Sequence, residues 1–259
     1  MRRIALALAL ALALPACHTR YTTVSGNLKL GSTPEDNYER GMAEMKDKNY
    51  AEAIRFFEYV KAKYPFSNVS LLSDLRVSDI KYAMGRHAEA ADSYEKFAKD
   101  HPSSDQVEYA LYRAGLSHFK AAPSDFVFFP PVYEKDQRET EKAVTTLREF
   151  VQKYPSSTYL AEARKTLSGA EEVLAKRELY VGDYYFKRGN WAGAAGRYKG
   201  LADSYPDSSL AQPAQLKAAE AYLRMNEKFQ ARQALQRLIV EHPEGRQRGQ
   251  AEKLLESLR

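Results

Sequence analysis

Read for polarity alone, the chain repeats one figure five times: a small apolar residue, a large one four positions on, another three further, and a proline five beyond that. The small residues are Ala53, Ala90, Ala143, Ala194 and Ala231, and the prolines are Pro65, Pro102, Pro155, Pro206 and Pro243. Between them stand Phe57 and Val60, Tyr94 and Phe97, Leu147 and Phe150, Tyr198 and Leu201, and Leu235 and Leu238. Positions i, i+4 and i+7 share one helix face. Proline cannot continue a helix, so each figure predicts a helix with one buried stripe that stops just short of its proline. The alanine marks a place where a second helix crosses closely. Gly41, Gly182 and Ala219 stand twenty-four residues before their prolines, and Tyr185 and Tyr222 follow the latter two by three, so a partner helix precedes each figure. The first of these starts at Pro34, with Thr33 as its N-cap and Glu35 and Asp36 in its first turn.

The series of small residue, aromatic, alanine and proline resembles the tetratricopeptide repeat, and predicts an all-α, right-handed solenoid of about five helix pairs running from Pro34 to Arg259. The proline separations are 37, 53, 51 and 37 residues, longer than that repeat's usual period of about 34. Two departures account for the excess. Residues 121–136 break helical periodicity with Pro123, Pro130 and Pro131, and carry Phe126, Phe128, Phe129 and Tyr133, an aromatic loop that either folds back on the solenoid or meets a partner. Tyr159 to Lys187 has few breakers and predicts one extended helix or two barely separated ones. It bridges an N-terminal half of three repeats, 34–157, and a C-terminal half of two, 158–259.

The opening residues follow a different rule. Met1, Arg2 and Arg3 precede an Ala/Leu run from Ile4 to Leu14. As a helix that run would rise about 16 Å, half of a ~30 Å hydrocarbon core, so 1–16 reads as a cleavable secretory signal and not as a span. Leu14, Pro15 and Ala16 before Cys17 resemble a lipobox, which makes Cys17 the lipidation site and 17–33 a polar tether. Cys17 is the only cysteine. In a secreted chain a thiol without a disulfide partner is explained by lipid attachment. His18, where an inner-membrane retention signal would carry Asp, favours the outer membrane, periplasmic face. Loss of Arg2 and Arg3 takes the formal charge from +5 to +3, too small an excess to suggest a nucleic-acid partner.

Several segments in order resemble the BamD family, the lipoproteins of the outer-membrane barrel assembly (BAM) machinery. They are Tyr64-Pro65-Phe66, Tyr112 to Leu116, Lys135-Asp136-Gln137, Tyr154 to Ser157 with the Tyr159 helix, and Tyr184-Tyr185, Arg188-Gly189, Trp191 and Arg197-Tyr198. The resemblance implies a scaffold and not an enzyme. Its C-terminal repeats would bind a BamA-like barrel insertase, and its N-terminal repeats unfolded outer-membrane barrel precursors, with other BAM lipoproteins as further partners. Carried over, it assigns the insertase contact to Arg197, whose guanidinium suits a two-pronged bond to a carboxylate, with an ordinary surface arginine as the alternative. Tyr38, Tyr59, Tyr82, Tyr112 and Phe119 are the candidates for precursor contact, with interhelical packing as the alternative for each.

Chemistry is thinly represented. His18, His87, His101, His118 and His242 form no metal-ligand spacing and read as structural, and neither a nucleophile elbow nor a phosphate or dinucleotide loop occurs, so no metal or cofactor is expected. Glu171 and Glu172 read as a solvated helix face. The rival functions are another outer-membrane repeat lipoprotein, either a secretin pilotin or a peptidoglycan or cell-division coordinator. A pilotin would keep the regular period, and a division coordinator would open with coiled-coil heptads.

Overall fold

The computed structural model describes residues 28–124 and 130–258, so the leader, Cys17, most of the tether and Phe126, Phe128 and Phe129 lie outside the described residues. Its helices are α1 (Pro34–Lys46), α2 (Tyr50–Lys63), α3 (Asn68–Ala83), α4 (His87–Asp100), α5 (Val107–Ala121), α6 (Arg138–Lys153), α7 (Leu160–Lys187), α8 (Trp191–Ser204), α9 (Ala211–Arg224), α10 (Lys228–Glu241) and α11 (Arg248–Glu256). Among the described residues there is no strand. Consecutive helices pack as five antiparallel pairs, α1/α2 to α9/α10, each stacked on its neighbours, which is a tetratricopeptide-like solenoid.

The five prolines do what their positions suggest. The residues before them, Tyr64, His101, Tyr154, Tyr205 and His242, cap α2, α4, α6, α8 and α10, each donating its N–H to the carbonyl four residues back at 2.9 to 3.0 Å. Their backbone has already left the helical region, as a following proline requires. Within the pairs the turns are tighter and pass through positive φ at Lys48, Gly85, Gly189 and Asn226. Glycine adopts that conformation without strain, and asparagine at little cost.

The small residues are explained by contact. A Cβ on Gly41 would lie 2.7 Å from the ring of Phe57, and one on Gly182 2.5 Å from the ring of Tyr198. Ala219 occupies the same place against Leu235. The third pair obeys this rule through Gly115, whose Cβ would meet Leu147 at 2.6 Å. The residues in the other three contacts are sixteen apart, whereas these two are thirty-two apart, because 121–136 intervenes. That insertion turns back on α7: Val132 is buried, Tyr133 lies 5.1 Å ring to ring from Tyr180, and Arg177 donates to the Lys135 carbonyl at 3.3 Å.

One continuous 28-residue helix, α7, serves both halves. Ala163 and Leu167 pack against α5 and α6, and Ala170 and Leu174 pack with Phe119, Ala143 and Val144, while Ala175, Leu179 and Phe186 join the core of α8 and α9. Glu171 and Glu172 are a correction to the sequence reading, since they form no free solvated face. Glu172 accepts from Ser208 and Ser209 at 2.7 Å each, and Glu171 pairs with Arg148 at 2.6 Å, so they hold α7 to the α8–α9 loop and to α6. Two further corrections concern the ends. The last repeat stops at Glu241, and α11 covers it with Ala251, Leu254, Leu255 and Leu258. The end of the tether is docked, since Asn37 exchanges bonds with Gly31 at 2.9 and 3.1 Å and Arg40 donates to the Lys29 carbonyl at 2.8 Å.

Candidate functional site

The first helices of the pairs carry a polar and aromatic seam. Asp79 on α3, 5 % exposed, accepts from the hydroxyls of Tyr94 and Tyr109, the latter at 2.6 Å, and pairs with Arg76 at 2.8 Å. Arg113 on α5 donates to the Tyr94 hydroxyl at 3.2 Å and lies 4.1 Å above the ring of Tyr82. Burial and the Asp79 charge push both Tyr94 and Tyr109 far above the usual phenol range, so they remain donors. The same figure recurs later in the chain: Asp183 accepts from Tyr198 at 2.6 Å and from Lys217 at 2.7 Å. Asp to cation spans thirty-four residues in both (79 to 113, 183 to 217), and Asp to tyrosine fifteen (79 to 94, 183 to 198). Apolar periodicity gave no hint of these ties, but the matched spacing of charges did carry them.

Beside the first tie a groove of about 720 Å³ opens between α3, α5 and α7. Tyr82, Leu116 and Phe119 supply its apolar wall, and Lys120, Glu162 and Lys165 its polar rim. His87 stacks edge-on to Tyr82 at 4.8 Å, and burial, with Lys120 and Arg113 nearby, holds its pKa below the ordinary range. The groove thus offers ring faces and two ammonium groups, a lining complementary to an apolar or aromatic side chain that carries a carboxylate close by.

Of the five tyrosine and phenylalanine candidates, two meet here, Tyr82 and Phe119. Tyr112 is 4 % exposed and stacks on Tyr159 at 4.6 Å with 9° between planes, with its hydroxyl bonded to Glu162, so it holds the groove's wall from behind. Tyr38 packs on Phe57 at 5.6 Å, and Tyr59 meets Tyr64 edge-on at 6.2 Å. Both belong to the first pair, away from the groove. Lys120 and Lys165 were missed, because on a helix face two lysines look like ordinary solvated charge until a third element is folded against them.

Arg197 stands on α8 in the other half, 46 % exposed, with its Nη1 on both oxygens of Glu178 at 3.0 and 3.2 Å. Along the exposed side of the neighbouring α7, Tyr180 and Tyr184 stand one turn apart, with Arg188 stacked on Tyr184 at 4.5 Å. Tyrosine and arginine set this way are the residue types that dominate protein interfaces.

A family model described as an outer membrane lipoprotein, YfiO, matches residues 31–238, which takes in four of the helix pairs and nearly all of the fifth. The chain belongs to the YfiO outer-membrane lipoprotein family. Its YfiO-family relatives include the outer membrane protein assembly factor BamD of Xylella fastidiosa (strain 9a5c), 28% identical over 248 residues, 93% of this chain and 83% of that protein. The BamD of Neisseria gonorrhoeae is 29% identical over 217 residues, 80% of this chain and 79% of that one. Among solved structures it is similar to the TPR2AB domain of yeast Sti1, at TM-score 0.40 and 14% identity over 86% of this chain and 84% of that one. For this YfiO-family chain the helix pairing itself defines the fold. No helix among its described residues is long and apolar enough to cross a membrane.

Proposed function

We propose that this chain is an outer-membrane protein assembly factor, a lipid-anchored scaffold that receives unfolded barrel precursors and binds a BamA-like barrel insertase. One observation carries the reading: in a chain of this lipoprotein family, an apolar groove with Tyr82 and Phe119 in its wall and Lys120 and Lys165 at its rim opens across three successive pairs. An extended precursor segment can dock there through a ring and a carboxylate at low ordering cost, since the helices are already fixed. Insertase binding is assigned to the α8 face of the C-terminal repeats, with Arg197 as the charged contact. Glu178 already holds Arg197 in this chain. A partner carboxylate must therefore share or replace that bond, and it gains from a guanidinium that is preoriented. Cys17 would carry the lipid at the inner leaflet of the outer membrane, with residues 17–27 as the reach between lipid and solenoid.

The test is purification of the tagged protein from its own outer membrane in mild detergent, with mass spectrometry of what accompanies it. The expected result is an insertase with the wild type and much less with Arg197→Glu, while Phe119→Ala lowers crosslinking to precursors and leaves the insertase in place. Recovery of a secretin or of division proteins instead would overturn the reading. Cys17→Ala should release the protein from the membrane fraction, and retention there would refute the anchor.

A further inference from the structure

The C-terminal half contains a second groove whose lining is of a different kind. It lies between α8, α9 and α10 and encloses about 530 Å³. Its floor is small, with Ala202, Ala218 and Ala234 contributed by the three helices in turn. Its walls are amides, Gln215 from α9 and Gln230, Gln233 and Gln236 from α10. The two cations beside them are already matched. Lys199 bonds Asp203 at 2.6 Å, and Arg237 bonds Asp203 and, at 2.8 Å, Glu241. The lining therefore asks for hydrogen bonds and not for charge.

Gln215 is the informative residue. It is 5 % exposed, and its Nε2 donates to Glu241 at 2.9 Å. A carboxylate only accepts, so that bond fixes which way the amide points and identifies Oε1 as an acceptor. That oxygen is buried without a partner. A buried acceptor left unmet is rare in a folded chain, and in a residue that lines the groove it can take a donor once the side chain turns outward.

We propose that this groove holds a short, extended, uncharged segment of a partner polypeptide, gripped through its main-chain amides. An extended main chain presents N–H and C=O groups in alternation, and a glutamine side chain answers both. The alanine floor lets a backbone approach where larger side chains would hold it off. From Gln230 to Arg237 the helix rises about 10 Å, which an extended strand covers in about three residues. A sugar would need an open flat ring, but Tyr222, the one ring in the lining, packs into the core of α7, α8 and α9. This site is independent of the precursor groove and of Arg197, so its test can fail without touching either.

The experiment uses the full chain in detergent and, as probe, a panel of end-blocked, uncharged peptides of about six residues and varied sequence. Binding read by fluorescence anisotropy should be tolerant of side-chain changes, and methylation of alternate main-chain nitrogens should weaken it about tenfold or more. Gln233→Ala, at an exposed position with no part in the core, should weaken it about three- to tenfold with unchanged circular dichroism, as should Gln215→Leu. Absence of binding to any peptide, or binding indifferent to main-chain methylation, would overturn the proposal. So would displacement of the peptides by soluble peptidoglycan fragments at these glutamines.

Discussion

At Gly182 two preferences compete. Alanine is the better helix former by about 1 kcal/mol in an open position. Here the added Cβ would stand 2.5 Å from a tyrosine ring that is buried and tethered by its hydroxyl to Asp183, so the ring cannot swing aside. Overpacking of this kind costs about 1–3 kcal/mol, more than the helix preference returns. Gly182→Ala should therefore lower the denaturant midpoint, while Gly196→Ala, with nothing within 4 Å of its Cβ, should raise stability by about 0.5–1 kcal/mol. Equal effects at the two sites, by urea denaturation, would show that the contact does not decide. His118 poses a different question. Its ring is fully buried, with Glu139 2.7 Å from Nδ1 and Glu95 2.9 Å from Nε2. Two carboxylates facing both nitrogens require both to donate, which is the imidazolium form. Burial opposes that charge, but the bonds to Glu95 and Glu139 overcome it and raise the pKa above its ordinary 6.5. The stabilisation is thus complete below that ordinary value and is lost as pH rises through the raised one. Wild type should weaken as pH rises above 6.5 through that window more steeply than His118→Asn, and parallel curves of midpoint against pH would refute the assignment.

Between elements, the decisive features are the two aspartate ties, and burial ranks them. Asp79 is nearly enclosed with Arg76, Arg113 and two tyrosine hydroxyls, so Asp79→Ala strands buried partners and should cost about 3 kcal/mol or more. Asp183 and Lys217 are 34% and 40% exposed, where water screens the pair, so Asp183→Ala should cost about 1–2 kcal/mol, mostly for the Tyr198 hydroxyl. A reversed order of the two losses, measured by denaturation, would mean that burial is the wrong criterion. The helices themselves were largely readable beforehand, because small residues, stripes and prolines act locally. Gly115 was not, since the insertion at 121–136 moves its partner Leu147 out of the expected offset. Glu171 and Glu172 were misread for a related reason: their partners, Arg148 on α6 and Ser208 and Ser209 in the α8–α9 loop, are distant in the chain.

For the whole molecule, a stack of pairs in which each meets only its neighbours should lose order from its ends. Helix α11 covers Leu216, Leu235 and Leu238 at one end. A chain stopped at His242 should show faster amide exchange in α9 and α10 and unchanged exchange in α1 and α2. Loss of protection spread evenly to the first pair would refute nearest-neighbour stability and make α7 a conductor between the halves. The sequence by itself determined the all-α repeat, the helix ends and the pairing, because helical periodicity, proline geometry and close contacts at glycine and alanine act within a few dozen residues. It also singled out Tyr82 and Phe119, but alongside Tyr112, whose composition and spacing are no different. Only the tertiary structure decided that Tyr112 faces Tyr159 inside the wall while Tyr82 and Phe119 line a groove rimmed by two lysines. Whether a ring is core or surface depends on which third helix is folded against it, and no local pattern along the chain encodes that choice.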